Sequence, residues 1–213
     1  MWFNYLLILI AAFGLTQGNN QSQIYIQLND GRSMPILGLG TWKSKSDDAY
    51  QAVKSAIEIG YRHIDTALAY RNEKEVGNAI RDMIGNGTVK REELFVVTKV
   101  WNSFHSRESA LKGVNMSLTN LGLDYIDLML IHWPFGYKEG EDLRPLDENN
   151  NTIFSDIDYL ETWSALEEAK QNGLVKSIGV SNFNASQLER VINNSTIRPV
   201  VNQVFEKLVL LNF

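Results

Sequence analysis

One alternation runs through most of this chain and limits what it can become. Short apolar runs lie at LGLGT (37–41), HIDTA (63–67), LFVVTKV (94–100), YIDLMLIH (125–132), VKSIGVS (175–181) and VVNQVF (200–205). Between them, apolar residues recur every three to four positions, the helical period. Ala49, Ala52, Val53, Ala56 and Ile57 share one face after a Ser46 cap and before Gly60. Val76, Ala79, Ile80 and Met83 precede Gly85, and Leu111, Val114, Leu118 and Leu121 precede Gly122. Leu160, Trp163 and Leu166 precede Gly173, and Leu188, Val191 and Ile192 form the last stripe. These stripes read as core, Trp163 included, and carry no chemistry. A strand and a helix every 25–30 residues or so is the pattern of β/α units, whose short apolar strands are covered by helices.

Two architectures accept such units, an open doubly wound sheet and a closed barrel. The open sheet would need a glycine-rich phosphate turn after its first strand. GLGTWKSKSDD offers only Gly38 and Gly40, with no third glycine at the helix start. The expectation is therefore an α/β fold of the (β/α)8 barrel type, with about six units present. A β-hairpin precedes it, IYIQL and MPIL joined by Asn29-Asp30-Gly31-Arg32, where Asp-Gly is the turn signal. The long interruption, residues 133–157, follows a strand end, where functional loops sit.

In a barrel the site lies at the C-terminal ends of the strands. Asp65, Lys99 and His132 end three successive strands, and Tyr70 lies just past the first of them. Singly, each has an ordinary structural reading: a turn cap, a snorkelling amine, a structural histidine. Together they are a cluster. A lysine and an aspartate at one barrel mouth pair, and a tyrosine beside that ammonium is expected to titrate below its usual value of about 10, as a proton donor.

The rest of the composition narrows the partners. With 20 basic against 25 acidic residues and no basic cluster, the chain lacks the footprint of a nucleic-acid binder. It has no cysteine, so no disulfide contributes to stability. The N-terminus carries an apolar run from Tyr5 to Leu15 and then Thr16, Gln17 and Gly18, which reads as a secretory signal over residues 1–18, too short for a stable membrane anchor. Asn-x-Ser/Thr sequons at Asn20, Asn86, Asn115, Asn150, Asn184, Asn193 and Asn194 agree with a secreted or lumenal glycoprotein. The expectation is one domain over residues 19–213, acting as a monomer.

The stretches GLGTWKS, YRHIDTALAYRNEKEVGNAI, VTKVWN, LDYIDLMLIHWP, RPLDENN, LVKSIGVSNFN and RPVVNQV, in this order, resemble the aldo-keto reductase family from about Ile24 to Gln203. The resemblance implies a catalytic tetrad of Asp65, Tyr70, Lys99 and His132, NADP(H) as cofactor, and reduction of a small-molecule aldehyde or ketone. Tyr70 would protonate the carbonyl oxygen, Lys99 held by Asp65 would tune it, and His132 would orient the substrate. Ser181, Asn182 and Gln203 would hold the nicotinamide carboxamide, with Thr41, Trp42 and Asp65 also at the cofactor. Trp42, Trp101 and Trp133 would form an aromatic substrate pocket. After NQV the run FEKLVLLNF departs from the family pattern. By the resemblance, the seventh and eighth strands and the groups that stack on the nicotinamide and bind its 2′-phosphate fall outside this sequence. The competing expectation is a truncated, non-catalytic relative.

Overall fold

The structure, a computed structural model, describes residues 24–204. The segment read as a signal, the Asn20 sequon and the FEKLVLLNF run lie outside the described residues.

Strands β1 (Tyr25–Gln27) and β2 (Ser33–Pro35) form the expected antiparallel hairpin, and Gly31 takes a φ of 83° in its turn. Six further strands form one parallel sheet: β3 (Leu39–Gly40), β4 (His63–Asp65), β5 (Phe95–Val100), β6 (Ile126–Ile131), β9 (Val175–Ser181) and β10 (Asn202–Gln203). They lie side by side in chain order. Each crossover is a β/α unit, with helices α1 (Ser46–Glu58), α2 (Glu73–Gly85), α3 (Arg107–Leu121), α4 (Tyr159–Gln171) and α5 (Ala185–Asn193). The result is a curled sheet of barrel type with five helices outside it, an incomplete (β/α)8 barrel.

The helical stripes bury as the periodicity requires. Val53, Ile57, Val76, Ile80, Met83, Val114, Leu121, Trp163 and Leu166 join the outward face of the sheet in one core, and Trp163 is only 1% exposed. On the inward face Phe95, Val97, Leu128 and Leu130 pack with Leu28 of the hairpin, which closes the N-terminal end of the sheet. The hairpin is tied down by Asp30, whose carboxylate accepts from Lys170 Nζ at 3.0 Å and Ser177 Oγ at 2.7 Å.

One helix start differs from expectation. Ser46 is the first residue of α1 and its cap position is Lys45, which makes no side-chain cap bond. Side-chain capping occurs at α3, α4 and α5, through Ser106, Asp158 and Asn184, and Asn184 forms a reciprocal box with Gln187. Residues 133–157 also hold structure of their own: strands β7 (Gly136–Tyr137) and β8 (Phe154–Ser155) pair antiparallel.

Candidate active site

Strand pleating selects the site. Side chains two apart point to the same face, so His63 and Asp65 on β4, Phe95, Val97 and Lys99 on β5, and Leu128, Leu130 and His132 along β6 fall into one inward-facing set. The register aligns Asp65 with Val97 and Lys99 with Leu130. The lower members on β5 and β6 are apolar and form the inner core, His63 on β4 lies over Phe95, and the last member of each row is polar. Asp65, Lys99 and His132 are therefore carried to one end of the sheet by the same alternation that buries the core beneath them.

Tyr70 arrives by a different route. After β4 the chain makes a single 3-10 turn, Leu68–Tyr70, closed by Arg71 in the left-handed region at a φ of 59°. Beneath it Asn72 is buried and donates to the carbonyls of Thr41 (2.9 Å) and Ser44 (3.1 Å), which fixes this turn against the loop after β3.

The centre of the site is Lys99, of which only 1% is exposed. Its ammonium donates to Asp65 at 2.7 and 2.9 Å, to the Thr66 carbonyl at 2.9 Å and to the Tyr70 hydroxyl at 3.3 Å. An ammonium has three protons, so all three are committed. Since Tyr70 accepts from Lys99, its own hydroxyl proton is left to be given elsewhere. His132 meets Tyr70 edge to face, with ring centroids 5.8 Å apart, and Trp101 lies 4.9 Å away in the same manner.

Burial dominates the electrostatics. It holds the His132 imidazole down at about 3, with the Lys99 charge pushing the same way, so the ring is neutral at physiological pH. Tyr70 is shifted in the opposite sense to that expected. Burial raises the phenol above its ordinary value by more than the charge and hydrogen bond of Lys99 lower it, and the Asp65 carboxylate adds to the rise. The phenol is thus firmly protonated at neutral pH.

Ser181, Asn182 and Gln203 gather at the ends of β9 and β10. Asn182 Nδ2 donates to the His132 carbonyl at 2.9 Å and to Ser181 Oγ at 3.0 Å, while Ser181 donates to the Gln203 carbonyl at 2.8 Å. Gln203 Nε2 donates to Asp65 Oδ2 at 2.9 Å, so this row is linked directly to the Lys99 cluster. Among the described residues the Asn182 and Gln203 amide oxygens accept no hydrogen bond and stand as acceptors for an incoming N–H. The hydroxyl of Thr41 is buried and committed to Thr66 and Asn72. Trp42 stands on the loop after β3, 49% exposed, with Lys43 over its ring. Trp101 is held by its indole N–H on the Leu143 carbonyl at 2.7 Å, and Trp133 stacks beside His132.

The Thr66 carbonyl, buried Asn72 and the Gln203 to Asp65 bond were not legible as site features. Neither was buried Glu73, which accepts from Thr98 at 2.6 Å and Asn120 at 3.0 Å next to Lys99. Their only sequence signal is the placement of Asn72 and Glu73 directly after Tyr70-Arg71.

The geometry can now be set beside known proteins. The family model described as "Aldo/keto reductase family" matches residues 36–209. This chain belongs to that family. It is 51% identical over 185 residues to aldo-keto reductase AKR2E4 of Bombyx mori, covering 84% of this chain and 56% of that one. It is 50% identical over 184 residues to aldo-keto reductase family 1 member C15 of Rattus norvegicus, covering 84% and 57%. The chain thus spans somewhat over half the length of the relatives it matches. Among solved structures, the Bombyx mori aldo-keto reductase in complex with NADP superposes with a TM-score of 0.76 at 49% identity, over 85% of this chain and 58% of that one. The aldose reductase of Schistosoma japonicum gives 0.83 at 42% identity, over 85% and 60%.

Proposed function

We propose that this aldo-keto reductase family member reduces aldehyde and ketone carbonyls to alcohols with NADP(H), Tyr70 acting as the proton donor. The observation that carries the reading is the Lys99 ammonium, whose three protons are spent on Asp65, Thr66 and Tyr70. The residues present suit a nicotinamide. Its carboxamide N–H2 can be received by the open acceptors of Asn182 and Gln203, in the row that these two residues join to His132 and Asp65. When bound, the reduced nicotinamide supplies the hydride.

The chain's own residues do the remainder. Neutral His132, beside Tyr70 and Trp101, orients the carbonyl and leaves the proton transfer to Tyr70. Tyr70 gives its proton to the oxygen as negative charge develops there, and the fixed Lys99 charge behind it stabilises the phenolate left behind. Asp65 keeps the ammonium in place. Trp42, Trp101 and Trp133 favour an apolar or ring-bearing substrate body. The site is assembled within one chain, in keeping with a monomer.

The decisive test is NADPH consumption with aryl and aliphatic aldehydes by the purified chain, against Tyr70→Phe. Loss of at least two orders of magnitude in kcat with the fold intact is expected. Turnover that survives the substitution removes Tyr70 as proton donor.

We also propose that the chain enters the secretory pathway and is N-glycosylated. The apolar run after residue 4 and the sequon density support this, and the six sequon asparagines within the described residues are all exposed. No helix among the described residues is long and apolar enough to cross a membrane. A mass decrease on enzymatic removal of N-glycans from the native protein is the expected result, and an unchanged mass would rule the modification out.

A further inference from the structure

The proton transfer makes no use of the Glu73 carboxylate, yet that carboxylate is buried behind the site. The outward row of β5 reads Val96, Thr98 and Val100, and Thr98 is fully buried between two valines of the outer core. Glu73, the first residue of α2 and only 2% exposed, meets it there. Its carboxylate accepts from Thr98 Oγ1 at 2.6 Å and from Asn120 Nδ2, near the end of α3, at 3.0 Å. These partners are a hydroxyl and an amide rather than a cation, so hydrogen bonds and the positive end of the α2 dipole hold the charge. An apolar pair of similar shape would serve stability about as well.

We propose that Glu73 is a positioning residue, which sets the Tyr70 hydroxyl against the Lys99 ammonium by tying the turn that carries one to the strand that carries the other. The inference rests on the reductase reading for the use made of that contact. Three observations carry it. First, Thr98 directly precedes Lys99 and Glu73 follows Tyr70 by three residues. The Thr98 to Glu73 bond on the outward face and the Lys99 to Tyr70 contact on the inward face therefore close one short ring through the sheet. Second, the two sides of that ring differ in stiffness. Strand β5 is paired on both edges, with β4 and β6, whereas Tyr70 stands on a single 3-10 turn closed by Arg71 at a φ of 59°. Asn72 holds this turn toward the loop after β3, and Glu73 draws it toward β5. Third, the Tyr70 contact, at 3.3 Å, is the longest the ammonium makes, against 2.7 to 2.9 Å for the others. A small retreat of the turn takes it beyond hydrogen-bond reach while the Asp65 pair stays closed.

The test uses Thr98→Val combined with Glu73→Leu, which exchanges the buried polar pair for apolar side chains, and reads benzaldehyde reduction by NADPH consumption, urea unfolding and the crystal structure. The double variant is expected to keep the urea midpoint of wild type. It is expected to lose about tenfold in kcat with KM for benzaldehyde unchanged, and to hold Tyr70 Oη out of hydrogen-bond reach of Lys99 Nζ. Thr98→Val alone, a change of one hydroxyl in an apolar row, is expected to move kcat and the distance in the same direction. Glu73→Gln, whose amide oxygen still accepts from Thr98, is expected to recover most of the rate. Wild-type kcat in the double variant, a Tyr70 to Lys99 distance that stays at 3.3 Å, or a loss that Glu73→Gln shares in full would overturn the positioning role. The distance decides this even if wild type consumes no NADPH, an outcome that would retire the reductase reading alone.

Discussion

Acid should loosen this fold through its histidines before its carboxylates are protonated. His105 lies in the turn after β5, fully buried, with both ring nitrogens lacking a hydrogen-bond partner among the described residues. Burial holds it down at about 4, against the weaker opposing pull of Glu139. His132 is held at about 3 by burial and the Lys99 charge. Both folded values lie below the ordinary 6.5, so the unfolded chain takes up these protons first. Their contribution is complete above about pH 7 and is lost as pH falls toward the folded values. For each ring the loss between pH 8 and pH 5 is about 2 kcal/mol, or about 4 kcal/mol for the two. His63, also lowered by burial, acts in the same direction, whereas Asp127, raised mainly by burial, acts in the other. A single variant therefore tests the reasoning better than the wild-type slope. Urea unfolding followed by tryptophan fluorescence at pH 8 and pH 5 should show that His105→Leu loses about 2 kcal/mol less than wild type. Equal losses in the two proteins would mean that His105 is protonated as readily in the folded chain as in the unfolded one.

For the proposed reaction, the raised Tyr70 phenol predicts that carbonyl reduction keeps its rate beyond pH 9, while alcohol oxidation, which needs the phenolate, rises only in strongly alkaline solution. An oxidation rate already at its plateau near neutrality, or a reduction rate that falls there, would contradict it. Lys99→Met leaves the Asp65 carboxylate without its cation and should cost about 3 kcal/mol in denaturant unfolding, with Asp65→Asn in the same chain recovering part of the loss. No recovery would show that the cost is one of packing. Gly77 on α2 lies against the Leu121 backbone so closely that a Cβ could not fit, and Gly77→Ala should lower stability by about 2 kcal/mol, as forced separation of α2 from α3 would. An unchanged urea midpoint would show that the two helices separate without cost.

How far the sequence could be read depended on the range of the interaction. Asp65, Lys99 and His132 were legible because each stands at the C-terminal end of a short apolar strand run, which is a local feature. Glycine at the end of α3 was equally readable. Gly122 takes a left-handed φ of 61° and its N–H closes on the Leu118 carbonyl at 2.8 Å. The bond from Gln203 to Asp65 joins residues 138 apart and leaves no trace in either local segment. The sense of the Tyr70 shift was misjudged for a related reason. A neighbouring lysine can be inferred from sequence, but the depth at which the phenol is buried is a property of the assembled site. The insertion showed neither strand nor helix periodicity because its strands are two residues long.

The strand order carries a consequence for how the site comes into being. Each parallel pairing joins a strand to the next one along the chain that enters the sheet, so every closure spans one β/α unit and none waits for a distant partner. As the polypeptide leaves the ribosome, β4, β5 and β6 emerge in succession, and with them the complete set from Asp65 to His132. The ammonium and carboxylate at its centre can be withdrawn from water together while α4 and β9 are still being synthesised. Translation pauses that release the chain to just before or just past β5 should therefore divide nascent chains into those without and those with the Lys99–Asp65 pair.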